Sequence, residues 1–395
     1  MIFIARAVHG IEWVCAEEIA RTLPAGDVRL ARREVTFRLP SVDDRLHALR
    51  TVDDVFVRVG EVGDVGTTKD ALPVLARRLA ALDWSAAAPG AVPGWSAAVP
   101  GRPAADPGAV PGRRFDVVAS IEGRRTYNRY AVEAAAGAAL APVLGATFVA
   151  RTDAGSAGES DLTVRLFLRG PVAVTALRLA ARPLHRRAYK QDTGPGTLHP
   201  PLAAALARLA APAGGERVLD PFCGDGTLAI EATLAYPDAR VTGTDIDPAR
   251  VANARANAQR AGVAVEFAVA DAGEADAGRD ARPDDVRAAD VRAADVVLTN
   301  PPWNLAVDAA GTLAGSLDRF WRTVPGRLCA VTDADLAVPE ALRRQGFTTA
   351  LTTRVRLAGR VSDVVLAAPP GHPAPALPPG LATWREQAVR AGVVL

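Results

Sequence analysis

Between Arg217 and Asp247 the chain reads RVLDPFCGDGTLAIEATLAYPDARVTGTDID: an apolar run closed by an acid, a loop with two glycines, a helical stretch, and a second apolar run closed by an acid. That order admits few folds, because strand, tight turn, helix and strand in succession build an open α/β sheet. The turn needs Gly224 and Gly226, since the backbone there must take positive φ and let a ligand approach with no Cβ in the way. Asp247 and Pro248 read as the N-cap and first residue of the next helix, which leaves Asp245 available at the carboxyl end of the second strand. Ligands of open α/β sheets lie outside those ends, and an acid about 20 residues past a glycine-rich turn is placed to accept hydrogen bonds from ribose hydroxyls. The loop is not a GxGxxG, and the chain contains no GxxxxGKS.

The second constraint is TNPPW, Thr299 to Trp303, after the apolar run Ala294 to Thr299. That run reads as a strand delivering Asn300 to the same carboxyl edge. Pro301 and Pro302 remove two backbone donors and fix φ, giving a rigid turn with outward carbonyls. The Asn300 side-chain oxygen and the Pro301 carbonyl can accept both hydrogens of an exocyclic amine. Trp303 offers a face on which a base can stack, worth roughly 1–3 kcal/mol per base. A Pro-Pro loop beside a core tryptophan is the plainer alternative, and the DPFCGDGT strand end makes it the less favoured one.

Asp220 to Thr227, DPFCGDGT, resembles the S-adenosylmethionine loop of class I methyltransferases that act on nucleic-acid amines. The resemblance implies a cofactor site made of Asp220, Pro221, Phe222, Cys223, Gly224, Gly226, Thr227, Asp245, Ile246, Asp271, Ala272 and Asn300. In it Asp245 holds the ribose and Asp271, closing the run Val265 to Asp271, lies beside the adenine. Asn300, Pro301, Pro302 and Trp303 are the expected catalytic residues. Relatives often carry Ser where this chain has Asp225, which is expected to add a negative charge near the sulfonium. Orientation is the main catalytic demand: an aromatic amine is a poor nucleophile with a delocalised lone pair, whereas the sulfonium is an activated methyl donor. No strong base is needed, in keeping with the lack of His or Glu beside the motif.

A chain of 395 residues suggests two to three domains. Hydrophobic residues make up 49% and aromatic residues only 5%, so the core must be built mainly from Ala, Val and Leu. The net charge of +2 means that any surface for nucleic acid is local. Cys15, Cys223 and Cys329 lie too far apart for a disulfide framework or a zinc set, so no metal and a reducing cytoplasmic location are expected. The N-terminus lacks a charged region followed by a long apolar one, and no apolar run reaches membrane-spanning length, so no membrane partner is expected.

Along residues 1–85, strands are expected at Met1 to Ala7 and Asp54 to Val62, one or two strands over Val28 to Leu39, and helices at Ile11 to Leu23, Val42 to Leu49 and Thr68 to Leu82. This order suggests a small N-terminal ferredoxin-like α+β domain. Residues 86–113 turn abruptly to Ala, Pro and Gly, with PGAVPG twice, and read as a flexible loop. A second expansion, between Asp271 and Asp295, repeats DVRAA. Strand Phe115 to Ile121, helix Arg129 to Leu144 and a hairpin of Leu162 to Leu168 with Val172 to Leu179 fill residues 114–185. A connector, 186–210, leads to the domain at 211–395, which closes with strand Arg327 to Thr332, helix Pro339 to Gln345, the pair Thr349 to Leu357 and Val361 to Ala367, and a helix at Leu381 to Arg390.

YNRY at Tyr127 to Tyr130, LTVRLFL at Leu162 to Leu168 and RPLHRRAYK at Arg182 to Lys190 make Phe115 to Leu206 resemble a THUMP module, an RNA-binding domain. Under that resemblance Arg182, Arg186, Arg187 and Lys190 contact phosphates, and His185 and Tyr189 stack on bases or ribose. A solvated connector is the alternative for this charged run. The order of the three units resembles the THUMP-domain guanine-N2 methyltransferases of the tRNA acceptor stem. It implies an α/β fold with a class I (Rossmann-like) methyltransferase domain, S-adenosyl-L-methionine as cofactor, RNA and chiefly tRNA as partner, and a monomer. Rival readings keep the chemistry but move it to rRNA guanine N2 or adenine N6, keep RNA binding without catalysis, or replace RNA with a small amine.

Overall fold

The computed structural model describes residues 1–85, 113–150, 160–274, 293–303, 311–313, 317–357 and 359–395. Both PGAVPG repeats, the first DVRAA repeat and the first three residues of the second fall outside these residues.

The first layer system is one eight-stranded sheet. Strands β1 (Ile2–Arg6), β2 (Gly26–Ala31), β3 (Glu34–Arg38) and β4 (Asp54–Val62) come from the first 85 residues, and β5 (Arg114–Glu122), β6 (Thr147–Phe148), β7 (Leu162–Arg169) and β8 (Val172–Arg178) from the following unit. Their order is β2-β3-β1-β4-β8-β7-β5-β6. The antiparallel pair β4 and β8, running from Phe56 opposite Arg178 to Val62 opposite Ala173, joins the two units into one sheet. Helices α1 (Glu12–Thr22), α2 (Leu72–Ala80) and α3 (Arg129–Leu144) cover one face of it, burying Ile19, Leu79, Val132 and Leu140 against Phe3, Val57, Val117 and Val164. β5, α3 and β7 form the parallel crossover, and β7 turns into β8 through Gly170 at φ +49°.

One expected element differs. Val42 to Leu49 is not a helix but a 3-10 turn at Asp44–Ala48, so the second helix of the unit follows β4 instead of preceding it. Asp43 caps the turn by accepting from the Arg45 N–H at 2.9 Å. The buried Glu18 carboxylate then takes the N–H groups of Arg50 and Thr51, which diverts the backbone from further helical turns.

The second layer system is doubly wound. Strands β9 (Arg217–Asp220), β10 (Arg240–Asp245), β11 (Glu266–Val269), β12 (Val296–Thr299) and β13 (Arg327–Asp333) are parallel, and β14 (Thr348–Leu357) and β15 (Arg360–Ala368) add an antiparallel edge. The order is β11-β10-β9-β12-β13-β15-β14, the Rossmann-like methyltransferase arrangement expected from the sequence. Alternation along the strands divides the core. Val296, Leu298, Cys329 and Val364 face α4 (Pro200–Ala210), α5 (Thr227–Ala235) and α6 (Pro248–Ala261), while Val297, Leu328, Ala330 and Val365 face α7 (Asp318–Thr323) and α8 (Val338–Arg344). α4 lies inside the expected connector and is buried along most of its length, so that half of the connector belongs to this core.

The layer systems are joined tightly. The last helix, α9 (Pro379–Arg390), packs on α1, and the Arg356 N–H donates to the His9 carbonyl at 2.9 Å. Gly10, at φ +105°, sits so close to β14 that a Cβ would collide with the Arg354 carbonyl oxygen, so no other residue fits.

Candidate methyl-transfer site

The strand order reverses direction between β9 and β12, and the crevice at such a switch point, outside the carboxyl ends, is where open sheets hold ligands. Asp220 ends β9, Asp245 ends β10, Asp271 follows β11 by two residues, and Asn300 follows β12 directly. The fold thus brings together on one edge the four polar residues that the sequence placed there.

The glycine loop has the expected build. Gly224 and Gly226 take φ +50° and +81°, and at Gly226 a Cβ would meet Ala254 at 2.9 Å and Phe267 at 3.0 Å. Asp245 organises the loop: its carboxylate accepts the Gly224 N–H at 2.9 Å and the Asp247 N–H at 3.0 Å. With one bond to each oxygen, lone pairs remain for a diol. Asp247 caps α6 by accepting the Ala249 N–H at 2.8 Å. Asp220 is fully buried, and desolvation, aided by the Asp245 charge, pushes its carboxyl up to about 8. Asp271 holds the turn that follows β11 by accepting the Gly273 N–H at 2.8 Å, and Ala272 is buried behind it. Ile246, by contrast, exposes 42% of its surface beside Asp245, an apolar side chain for a flat ligand to cover.

Asp225 does not put a bare charge into the crevice. It is 1% exposed and turns away from the sheet edge, accepting the Gly194 N–H at 2.8 Å and the Asn253 side-chain amide at 3.1 Å, with the Arg250 guanidinium 3.4 Å away. The expected negative field near a sulfonium is therefore corrected: the acid is neutralised where it stands and ties the loop to α6 and to residues 191–199.

At the other motif, Pro301 is buried and Pro302 and Trp303 are half-buried. The Asn300 side-chain amide donates to the Gly196 carbonyl at 3.4 Å, while its buried Oδ1 has no hydrogen-bond partner among the described residues. The Trp303 N–H is likewise buried and unmatched among them, and its ring rests partly against the core. Trp303 thus makes the core contact of the plainer alternative while remaining half-buried. An unmatched buried acceptor costs about 1–3 kcal/mol, which a bound amine would recover.

The basic run is divided by the fold. The Arg182 and Arg186 side chains are exposed, with no hydrogen bond or ion pair to another described residue. The Arg187 side chain is buried: its Nε donates to Glu231 at 2.9 Å, and its terminal nitrogens hold the carbonyls of Leu184 and Arg50. Tyr189 is 5% exposed and its hydroxyl donates to Glu231 at 2.8 Å. His185 sits half-buried on the Asp53 carbonyl at 3.2 Å, and burial lowers its pKa. Lys190 donates to the Leu198 carbonyl at 2.6 Å. The expectation that Tyr189 stacks on a base and Arg187 grips a phosphate is corrected, because both are consumed by a buried carboxylate. Glu231 itself, which also takes Arg50 through two bonds of 2.7 and 2.9 Å, was missed. Its signal was a lone acid in the apolar helix TLAIEATLA.

These features place the chain among known proteins. Residues 187–363 match the RMKL-like methyltransferase domain. The RMKL-like region thus begins within the basic run and ends in β15. A curated relative, tRNA (guanine(6)-N2)-methyltransferase of Thermus thermophilus, is 34% identical over 167 residues, 42% of this chain and 45% of the relative, so the alignment spans under half of that protein. The crystal structure of TrmN from Thermus thermophilus covers 93% of this chain and 99% of its own, with a TM-score of 0.69 and 25% identity. A Clostridium difficile 630 protein described as a possible methylase has the same fold, with a TM-score of 0.66, 18% identity, and coverage of 95% of this chain and 99% of its own. The fold of both layer systems together is therefore found in solved proteins.

Proposed function

We propose that the chain is an S-adenosylmethionine-dependent methyltransferase acting on the exocyclic N2 amine of a guanosine in tRNA. The observation that carries the reading is the buried Oδ1 of Asn300, unmatched among the described residues and set on the sheet edge with Asp220 and Asp245. The curated tRNA guanine-N2 relative and the TrmN likeness support the substrate class.

The residues present fit the cofactor. The left-handed glycines leave the loop open to a ligand backbone, Asp245 keeps acceptor capacity for ribose hydroxyls, and Asp271 lies at the next strand end for the base. When bound, S-adenosylmethionine supplies an activated methyl group. Asp225 adds no net negative charge beside the sulfonium, since Arg250 already balances that carboxylate.

On the acceptor side, Asn300 Oδ1 takes one amine hydrogen and the Pro301 carbonyl takes the other, which turns the nitrogen lone pair towards the methyl. Trp303 carries the flipped ring on its free face. Extruding a stem guanosine costs a few kcal/mol, returned by stacking and by the two hydrogen bonds. The amine proton leaves to solvent once the nitrogen has become positive. No helix among the described residues is long and apolar enough to cross a membrane, and work on tRNA as a monomer in the cytoplasm accords with this reading.

The test is incubation with labelled S-adenosylmethionine and total tRNA from a host lacking the protein, followed by nucleoside mass spectrometry. A gain of N2-methylguanosine is expected. Label in rRNA or in methyladenosine overturns the substrate, and no label in any nucleic acid overturns the activity.

A further inference from the structure

A cavity of about 550 Å³ is lined in part by Thr193, Thr197, Leu198 and His199, the loop whose Gly196 carbonyl accepts from Asn300. Its walls include Arg182, Arg186, Arg187, Lys190, Thr193 and Thr197, and none of its lining residues is acidic. The cations are not equivalent. Arg187 is spent on Glu231, and Lys190 uses one of its three hydrogens on the Leu198 carbonyl. Arg182 and Arg186 have no partner among the described residues, so two forked donors stand exposed at the mouth. The two histidines in the wall, His185 and His199, lie 5.4 Å apart and are engaged by Asp53 through its carbonyl and its carboxylate. α4 starts at the cavity, but Pro200 and Pro201 remove two of its amide donors, so side chains and not a helix end define the site.

We infer that this cavity is a phosphate site, taking a backbone phosphate of the RNA next to the nucleotide whose amine is methylated. Two unpaired guanidinium forks, an ammonium and two hydroxyls match the several acceptor oxygens of a phosphate diester. The loop supplies the geometric link: Thr193 and Thr197 face the cavity while the Gly196 carbonyl between them touches Asn300. The same loop is fastened to the cofactor turn through Gly194 and Asp225. A phosphate held here would fix the register of the strand against the amine acceptors, the positioning role that phosphate contacts play in nucleic-acid recognition. Burial lowers Lys190 to about 8, a cost that an anion in the cavity would relieve.

The substrate half of this inference rests on the proposed action on RNA; the anion half does not. The chain contains only two lysines, Lys69 and Lys190, so mass spectrometry after brief acylation reads Lys190 directly, with the exposed Lys69 as internal control. The probes are inorganic phosphate and a synthetic RNA stem with a single-stranded end. Both are expected to slow Lys190 acylation several-fold and leave Lys69 unchanged, and the R182A/R186A variant is expected to lose the protection while it still binds S-adenosylhomocysteine. Unchanged acylation with both probes, or equal protection in the variant, overturns the site. Protection by phosphate but not by RNA assigns the cavity to a free anion and overturns the RNA half. Methylation of the same RNA without Lys190 protection overturns the cavity alone, and protection without methylation overturns the proposed activity alone.

Discussion

Replacing Glu231 by Ala tests whether one buried carboxylate holds the two layer systems in register. The side chain is fully buried and receives four bonds of 2.7 to 2.9 Å, two from Arg50, one from Arg187 and one from the Tyr189 hydroxyl. Burial, and then the Glu231 charge, push the Tyr189 hydroxyl well above its ordinary range, so it remains a donor. Truncation leaves Arg187, whose side chain is 8% exposed, without a counter-charge, and removing one partner of a buried pair costs about 3–5 kcal/mol. At roughly 2–4 °C per kcal/mol for a domain of about 150–250 residues, the melting temperature should fall by about 6–20 °C. Calorimetry on the full chain is the assay. A triple replacement, Arg50→Met, Arg187→Met and Glu231→Leu, should recover much of the loss, because it removes the charges together. A Glu231→Ala melting temperature within about 2 °C of wild type would refute the reasoning, since even the smallest cost above predicts more.

Asn300→Ala should lower the methylation rate by roughly 10²–10³-fold, the cost of removing one positioned hydrogen-bonding group, with S-adenosylhomocysteine affinity near wild type; equal losses in both would make Asn300 structural. Asp225→Ala removes the acceptor for Gly194 and Asn253, bonds to a charged group worth about 1.5–3 kcal/mol, and should weaken cofactor binding and stability together, as titration calorimetry would show. Asp220 carries a pH signature. Its folded pKa of about 8 exceeds the ordinary 3.8, so between these values the folded state holds a proton that the unfolded state has lost. Stability should then fall as pH rises through that window, by up to about 1.4 kcal/mol per unit, and level off above it. Urea midpoints of wild type and Asp220→Asn from pH 5 to 8 should diverge; parallel curves would show that Asp220 is ionised throughout.

Much of the candidate site was legible because its signals are local. Strand alternation, helical spacing and the glycine turn each lie within a few residues, and they located Asp220, Asp245 and Asn300 at strand ends where the structure also has them. The helix expected at Val42 to Leu49 failed because a distant acid, Glu18, captures the backbone donors that follow it. Charge patterning misled at RPLHRRAYK for a related reason. A run of cations looks the same whether it faces a phosphate or a buried carboxylate, and Glu231 lies 44 residues from Arg187 and 181 from Arg50.

The sequence by itself determined the α/β class, the glycine loop with its following acid, and the Asn-Pro-Pro edge, since each depends on backbone conformation and on the period of apolar residues. Tertiary structure alone decided that the two N-terminal units share one sheet through β4 and β8, that Asp225 is balanced by Arg250, and that Arg187 and Tyr189 face inward while Arg182 and Arg186 face out. The physical reason is that burial and pairing of a charge depend on what the chain brings to it from far away. A residue's own neighbours in sequence carry almost no record of that partner.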